Sequence, residues 1–110
     1  MKNFLLIVLL TASFTAGANP YSLSVPTDSI ATYIVLEKGD YGNLKTIVTQ
    51  RTGSSGITYS KRVYDCVNAQ VKYLGTGDSI SEMNASTPDV NFSPIVEKSI
   101  AYYVGKEACR

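Results

Sequence analysis

The sequence predicts an α+β protein, an antiparallel β-meander of about four to six strands packed against one C-terminal α-helix and tied to it by a disulfide. Between residues 30 and 75, short segments rich in β-branched and aromatic residues alternate with turn-forming residues. Residues 93–109 instead carry apolar side chains at helical spacing. The only two cysteines, Cys66 and Cys109, fall at the end of a predicted strand and near the end of that helix.

Residues 1–18 have the composition of a secretory signal peptide. Lys2 gives a positive start, residues 4–10 are apolar without interruption, and residues 16–18 have the small-x-small pattern of a cleavage site. The apolar run is shorter than the about 20 residues that a membrane-spanning helix needs. Export would place the mature chain in a periplasmic or extracellular compartment, where the two cysteines form a disulfide. With no cysteine at the cleavage site, we expect no lipid anchor.

Residues 19–29 precede the strong strand signals. Pro20 and Pro26 punctuate this segment, and apolar residues alternate with serines between them. The pattern is typical of either a flexible lead-in or a short edge strand, and the sequence leaves both open. We expect a single α+β domain over residues 30–110.

The predicted strands follow one another with short connections. Their β-branched and aromatic residues are separated by Gly, Asn and Ser, including a turn at 38–43, and the four strands cover residues 30–37, 44–52, 57–66 and 71–75. In the third strand, odd-numbered residues from Ile57 share one face and even-numbered residues from Thr58 share the other. Short connections join antiparallel neighbours, so we expect a meander.

The last third of the chain divides into a loop and a helix. Residues 76–91 are rich in turn-forming residues without a clear apolar period, which predicts a long surface loop. Ser93 and Pro94 are typical of a helix start. The residues that follow at helical spacing are Ile95, Val96, Ile100, Tyr102, Tyr103 and Cys109. This apolar face needs a partner, and the sheet is the surface available to it.

Two segments around the cysteines carry a family resemblance. Residues 59–66 read YSKRVYDC and are followed by VKYL at 71–74, and the helix segment 94–109 is the other half. Together they resemble the bacterial surface-adhesin protein E domain, over residues 30–109. The resemblance implies a small sheet braced by a C-terminal helix through the disulfide, and an adhesin that binds host matrix proteins and plasminogen. The chain departs from the family in having no lipid-attachment cysteine and no histidine for haem ligation.

The composition argues against an enzyme. Without histidine, Ser-His and Cys-His nucleophile pairs cannot form, and the commonest general base at neutral pH is missing. Oxidised cysteines supply neither a thiolate nucleophile nor a zinc ligand. Asp78, Glu82 and Asp89 lack the EF-hand spacing, so we expect no metal and no cofactor, with a calcium site in the 76–91 loop as the alternative. With 10 basic and 9 acidic residues, the chain is not expected to bind nucleic acid.

We therefore expect a non-enzymatic, secreted bacterial protein-binding module. Eight tyrosines and no tryptophan suit an interface, because tyrosine joins a large apolar ring to a polar tip. The candidate binding residues are an exposed turn tyrosine and a basic patch on neighbouring strands; they are Tyr41, Arg51, Lys61, Arg62, Tyr64 and Lys72. The alternative interpretation of the patch is an ordinary solvated sheet face. Tyr59, Tyr73, Tyr102 and Tyr103 are expected in the core between helix and sheet.

The predicted partner is a protein, recognised through the sheet face or the 76–91 loop. It is either a host matrix protein, as for an adhesin, or a bacterial envelope protein. The alternative function is a periplasmic inhibitor or immunity protein, or an accessory protein of an envelope complex. The mature chain has no predicted membrane span, and an uncovered edge strand would favour a homodimer.

Overall fold

The computed structural model describes residues 19–110, so the predicted signal peptide at residues 1–18 lies outside the described residues. The described chain is a six-stranded antiparallel sheet with two short helices and a disulfide, which confirms the predicted α+β class. The strands lie side by side in chain order. The elements are β1 (Tyr21–Leu23), β2 (Thr32–Tyr41), β3 (Leu44–Gly53), β4 (Gly56–Asp65), β5 (Gln70–Gly77), α1 (Ile80–Ala85), β6 (Ser93–Pro94) and α2 (Ile100–Ala108).

The first segment of the domain is an edge strand, which decides between the two alternatives for residues 19–29. Tyr21 pairs with Val35 and Leu23 with Tyr33, so β1 lies against the beginning of β2. Pro26 then opens a single 3-10 turn. Proline suits this position because it has no N–H to leave unpaired at the start of a helical turn.

The hairpin between β2 and β3 is longer than the sequence predicts. Strand β2 continues past residue 37 to Tyr41, where Tyr41 pairs with Leu44. The two-residue turn between them places Gly42 at a φ of 63°, which glycine adopts without strain. A register shift between Val35 and Glu37 marks a β-bulge. The predicted turn at 38–43 is therefore wrong except at its tip, because continuous pairing extends the strands through it.

Helix α2 begins later than predicted, and the predicted start at Ser93 and Pro94 is wrong. These two residues pair with the edge of β5 as the short strand β6. The backbone of Lys98 has a φ of 69°, which is incompatible with a continuous right-handed helix. Ser99 is the true N-cap, and its Oγ accepts from the backbone N–H of Tyr102 at 3.1 Å. Pairing with β5 holds Ser93 and Pro94 extended, whereas their local sequence favours a helix start.

Helix α1 occupies part of the segment 76–91 that the sequence predicts as a loop. Ser79 is its N-cap, with its Oγ accepting from the backbone N–H of Glu82 at 3.1 Å. The Glu82 carboxylate reaches back to accept from the backbone N–H of Asp78 at 2.9 Å. The spacing of Ser79 and Glu82 is that of a capping box, which the sequence displays. Met83 of α1 is buried against β5.

The main core lies between one face of the sheet and α2. One residue from each of four adjacent strands forms its sheet side, and two residues of α2 form its helix side; the cluster is Val35, Ile47, Tyr64, Val71, Val104 and Ala108. The register places the sheet residues on one face, as the predicted alternation in β4 requires. Val96, predicted on the buried helix face, is instead 69% exposed because it precedes α2.

Tyr64 is the largest side chain in this core. Its ring is fully buried, and its hydroxyl donates to the backbone carbonyl of Ala101 at 2.7 Å. Burial raises the pKa of this hydroxyl above its ordinary value of 10.0. Gly105 makes room for the ring, since a Cβ there would lie 2.6 Å from Cε2 of Tyr64. Tyr73, predicted in the core, is 38% exposed, so that prediction is wrong.

The predicted disulfide is present between Cys66 and Cys109, whose Cα atoms lie 5.9 Å apart. Cys66 directly follows β4, and Cys109 directly follows α2. The bond therefore anchors the end of the helix to the strand that supplies Tyr64.

A polar cluster, the Glu107 clasp, ties α2 to the first two strands. The Glu107 carboxylate accepts from the Tyr21 hydroxyl at 2.5 Å and from the guanidinium of Arg110 at 2.6 Å. It also forms an ion pair with Lys38 at 3.5 Å. Hydrogen bonds from Arg110 and Tyr21 lower the pKa of Glu107 from 4.5 to about 2, with the carboxylate side chain 12% exposed.

Replacing both cysteines by serine should lower the free energy of unfolding by about 4 kcal/mol, because the disulfide closes a loop with a sequence separation of 43. Urea unfolding of the oxidised parent and of the Cys66→Ser/Cys109→Ser variant measures the difference. Reduction of the parent should give the same loss. Coincident unfolding curves for parent and variant would show that the bridge does not stabilise the fold.

Gly105→Ala should destabilise the protein by about 1–3 kcal/mol, the usual cost of overpacking a core. Helix propensity alone predicts a gain of about 1 kcal/mol from the same change, so the sign of the effect tests the contact with Tyr64. The matched control is Lys106→Ala on the exposed side of the same helix. A more stable Gly105→Ala variant would refute the close packing.

Acid should weaken the Glu107 clasp. A carboxylate with a lower pKa in the folded than in the unfolded chain contributes stability above its unfolded pKa, and loses it as the pH falls through its folded pKa. For Glu107, this stability is lost as the pH falls from 4.5 to about 2. We expect the melting temperature of Glu107→Gln to fall less than that of the parent over this interval. The exposed Glu97→Gln change is the control and should follow the parent; parallel curves for all three would contradict the clasp.

Candidate functional site

The face of the sheet opposite α2 carries a groove of about 490 Å³, here named the open-face groove. Strands β2 to β5 and the segment after α1 line it; the residues are Asp40, Tyr41, Leu44, Thr46, Lys61, Val63, Lys72, Leu74, Pro88 and Phe92. In β4, Arg62 and Tyr64 lie on the α2 face, so the alternating Lys61 and Val63 lie on the open face.

The floor of the open-face groove is apolar. Leu44, Val63 and Leu74 come from three different strands, and Val63 is almost fully buried. Phe92 and Pro88 come from the segment between α1 and β6 and complete the lining. A concave apolar surface with a few polar groups around it is the usual form of a binding site.

Two lysines give the open-face groove a positive charge. Lys61 and Lys72 lie on the adjacent strands β4 and β5, and the Nζ of Lys72 lies 4.9 Å from the centre of the Phe92 ring. Within residues 19–110, neither lysine has a carboxylate within 4.0 Å. Asp40 also lines the groove, but it pairs with Lys45 at 2.6 Å. The net charge available to a ligand is therefore positive.

Tyr41 stands at one end of the groove, beside the tip of the β2–β3 hairpin. It is 69% exposed, and the two-residue turn places it where its ring is accessible. Exposed aromatic side chains next to an apolar pocket are the type of residue that contributes most to protein interfaces. The predicted exposure of Tyr41 is confirmed.

The six predicted binding residues do not form one patch. Tyr41, Lys61 and Lys72 meet in the open-face groove, whereas Arg51 and Arg62 line a different cavity on the α2 face. Neighbouring residues of a strand point to opposite faces, so Lys61 and Arg62 cannot share a surface. The prediction of a single basic patch is wrong for this reason.

Tyr64, another predicted binding residue, does not lie on an exposed surface. Its ring is fully buried in the main core under α2. Sequence alone placed it beside the basic residues because it lies on the same strand. Tyr64 lies opposite Lys45 and Val71 in the register, and α2 packs over this position. The register and the helix together bury its ring.

Seven groove residues were not predicted from the sequence: Asp40, Leu44, Thr46, Val63, Leu74, Pro88 and Phe92. Leu44 and Leu74 carry an ordinary strand signal, which does not distinguish a buried face from an open one. Phe92 reaches the groove because α1 and β6 fold the intervening segment back against β5. The order of the strands and the path of the chain between α1 and β6 bring these side chains together.

The loop carboxylates proposed as an alternative calcium site have separate backbone partners. Glu82 accepts from the N–H of Asp78, and Asp89 accepts from the N–H of Tyr73 at 3.1 Å. In the part of the chain that the structure describes, no group of three His, Cys, Asp or Glu side chains is placed to hold a metal ion.

The outer edge of β2 is partly uncovered. Strand β1 pairs only with residues 33–35, and the remaining part of β2 carries Glu37, Lys38 and Asp40. Charged residues and a bulge on an edge strand disfavour pairing with a second chain. The homodimer suggested by the sequence stays a prediction.

Comparison of the chain with protein-family models, with curated proteins and with solved structures found no match. The resemblance to the adhesin protein E domain therefore stays a prediction. Among residues 19–110, no helix is long and apolar enough to cross a membrane.

Proposed function

We propose that this protein is a secreted bacterial binding module, without enzymatic activity, that holds a protein partner in the open-face groove. One observation carries the proposal: an apolar floor, the exposed Tyr41 ring and two lysines without carboxylate partners among residues 19–110 lie together on the face of the sheet opposite α2.

The groove chemistry specifies the type of segment that would fit. The half-buried Leu44 and Leu74 suit an apolar or aromatic side chain, which removes their remaining surface from water on binding. Lys61 and Lys72 favour acidic residues beside that side chain, because complementary charge raises the association rate and selects partners. We therefore infer a partner segment with one apolar anchor flanked by Asp or Glu.

The origin of the partner follows from the proposed compartment. The signal-peptide pattern at residues 1–18 and the disulfide support export to the periplasm or beyond. The resemblance to a surface adhesin favours a host matrix protein. A bacterial envelope protein is the other candidate, and its capture would identify an inhibitor or accessory role instead.

The groove can be tested by charge reversal. The Lys61→Glu/Lys72→Glu variant should weaken partner binding at least about tenfold, because two attractive charges become repulsive. The exported, oxidised protein would be the bait against host matrix proteins and against solubilised bacterial envelope, followed by binding measurements on each captured protein. Tyr41→Ala should also weaken binding, by about tenfold or more.

The control variant is Lys98→Glu/Lys106→Glu, which makes the same charge change at exposed positions outside the groove. It should bind like the parent, and binding by the parent should weaken as salt is raised. Equal binding by the groove and control variants would exclude the groove as the binding site. Failure to capture any protein from either source would refute the proposed function.

A further inference from the structure

A second cavity lies on the α2 face of the sheet, next to Ile100 at the start of the helix. Its volume is about 180 Å³, below the range of about 300–1,000 Å³ that is usual for drug-sized ligands. Hydroxyl and guanidinium side chains dominate its lining; they are Thr49, Arg51, Ser60, Arg62, Tyr73 and Thr76. We name it the arginine cavity.

Arg62 is the unusual residue in this cavity. It is only 4% exposed, yet within residues 19–110 no carboxylate lies within 4.0 Å of its guanidinium. Arginine is almost never fully buried unless its charge is paired, because removing an ion from water is costly. The Arg62 guanidinium is therefore buried without a negatively charged partner among the described residues.

The guanidinium of Arg62 also has an unused donor. One terminal nitrogen donates to the Thr49 hydroxyl at 3.2 Å, and the other donates to the Tyr73 hydroxyl at 2.9 Å. In the described part of the chain, its buried Nε has no hydrogen-bond partner. The Tyr73 ring lies 4.7 Å from the guanidinium carbon, but a cation–π contact uses the flat face and not the in-plane N–H groups.

Arg51 does not share this deficit. Its Nε and one terminal nitrogen donate to the two carboxylate oxygens of Asp28, at 2.7 and 3.2 Å. The Tyr33 hydroxyl donates to the same carboxylate. Asp28 thus compensates Arg51, and the arginine cavity keeps one uncompensated positive charge, that of Arg62.

The surrounding hydroxyls add donors. Thr49 and Tyr73 accept from Arg62, so each retains its own hydrogen to donate to another group. The hydroxyl oxygens of Ser60 and Thr76 are 3.5 Å apart, which is long for an O–H···O bond, and they too are available. A buried site with one positive charge and surplus donors is suited to a negatively charged oxygen ligand.

We propose that the arginine cavity binds a single carboxylate group, supplied by a small organic acid or by the C-terminus of a polypeptide. The planar guanidinium matches the two oxygens of a carboxylate. One uncompensated positive charge balances a carboxylate and leaves a phosphate dianion in excess. The cavity and the open-face groove lie on opposite faces of the sheet, so this proposal does not rest on the proposed function.

The first experiment follows the arginine Nε–H signals of the oxidised mature protein by NMR. Sodium propionate is titrated at constant ionic strength against sodium chloride, with inorganic phosphate in a parallel titration. We expect propionate to shift the Arg62 signal saturably and phosphate to bind more weakly. No saturable shift, or equal shifts with chloride, would overturn the proposal; a phosphate-selective response would overturn the assignment to carboxylate.

Variants locate the response. Arg62→Lys keeps the charge but loses the planar fork, and we expect propionate binding at least about tenfold weaker, read from backbone amide shifts. Thr76→Val removes one hydroxyl at an exposed rim position and should also weaken binding, even if Arg62→Lys folds poorly. The control Arg110→Lys lies outside the cavity and should bind like the parent. Unchanged binding in both cavity variants would place the site elsewhere.

Two further samples separate the ligand sources and the two proposals. A short peptide with a free C-terminus is compared with its amidated form; binding of the free acid alone identifies a polypeptide carboxylate, and binding of propionate but neither peptide identifies a small acid. The groove variant Lys61→Glu/Lys72→Glu should bind propionate like the parent. Loss of propionate binding there would show that the cavity is not an independent site.

Discussion

Tyr64 fills the space between the sheet and α2, and Gly105 leaves the room that its ring needs. The hydroxyl donates to the carbonyl of Ala101, so the same side chain also fixes the helix along its axis. A helix of only nine residues is marginal by itself in water, and its stability comes from packing. The position of α2, and with it the closed face of the sheet, depends on this contact.

The disulfide and the Glu107 clasp hold the end of α2 that lies beyond Tyr64. Cys109 is bonded to the residue that follows β4, while Glu107 reaches β1 and β2. These two attachments lie on different strands of the sheet, so the helix cannot rotate about either one. Ile100, the first residue of α2, lies at the polar end of this face, next to the arginine cavity.

Strand β4 supplies both candidate sites because its residues alternate between faces. Lys61 and Val63 belong to the open-face groove, whereas Arg62 lines the arginine cavity and Tyr64 fills the core. The two surfaces differ in chemistry. One joins an apolar floor to half-buried lysines, and the other surrounds a buried guanidinium with hydroxyl groups. A single strand can thus serve two ligands without competition between them.

Local sequence determined the four central strands, the alternation along β4 and the exposure of Tyr41 at a hairpin tip, because period-two patterning and turn chemistry act over a few residues. The disulfide pairing followed from the presence of only two cysteines. It also contained the capping box of Ser79 and Glu82, which the prediction of a loop overlooked. Tertiary structure decided the rest. Pairing with β5 overrode the helix signal of Ser93, whereas the separation of Lys61 from Arg62 already follows from the alternation along β4. Tyr64 is buried, and Phe92 lies beside Lys72, because residues distant in the chain come into contact. No local pattern encodes such contacts.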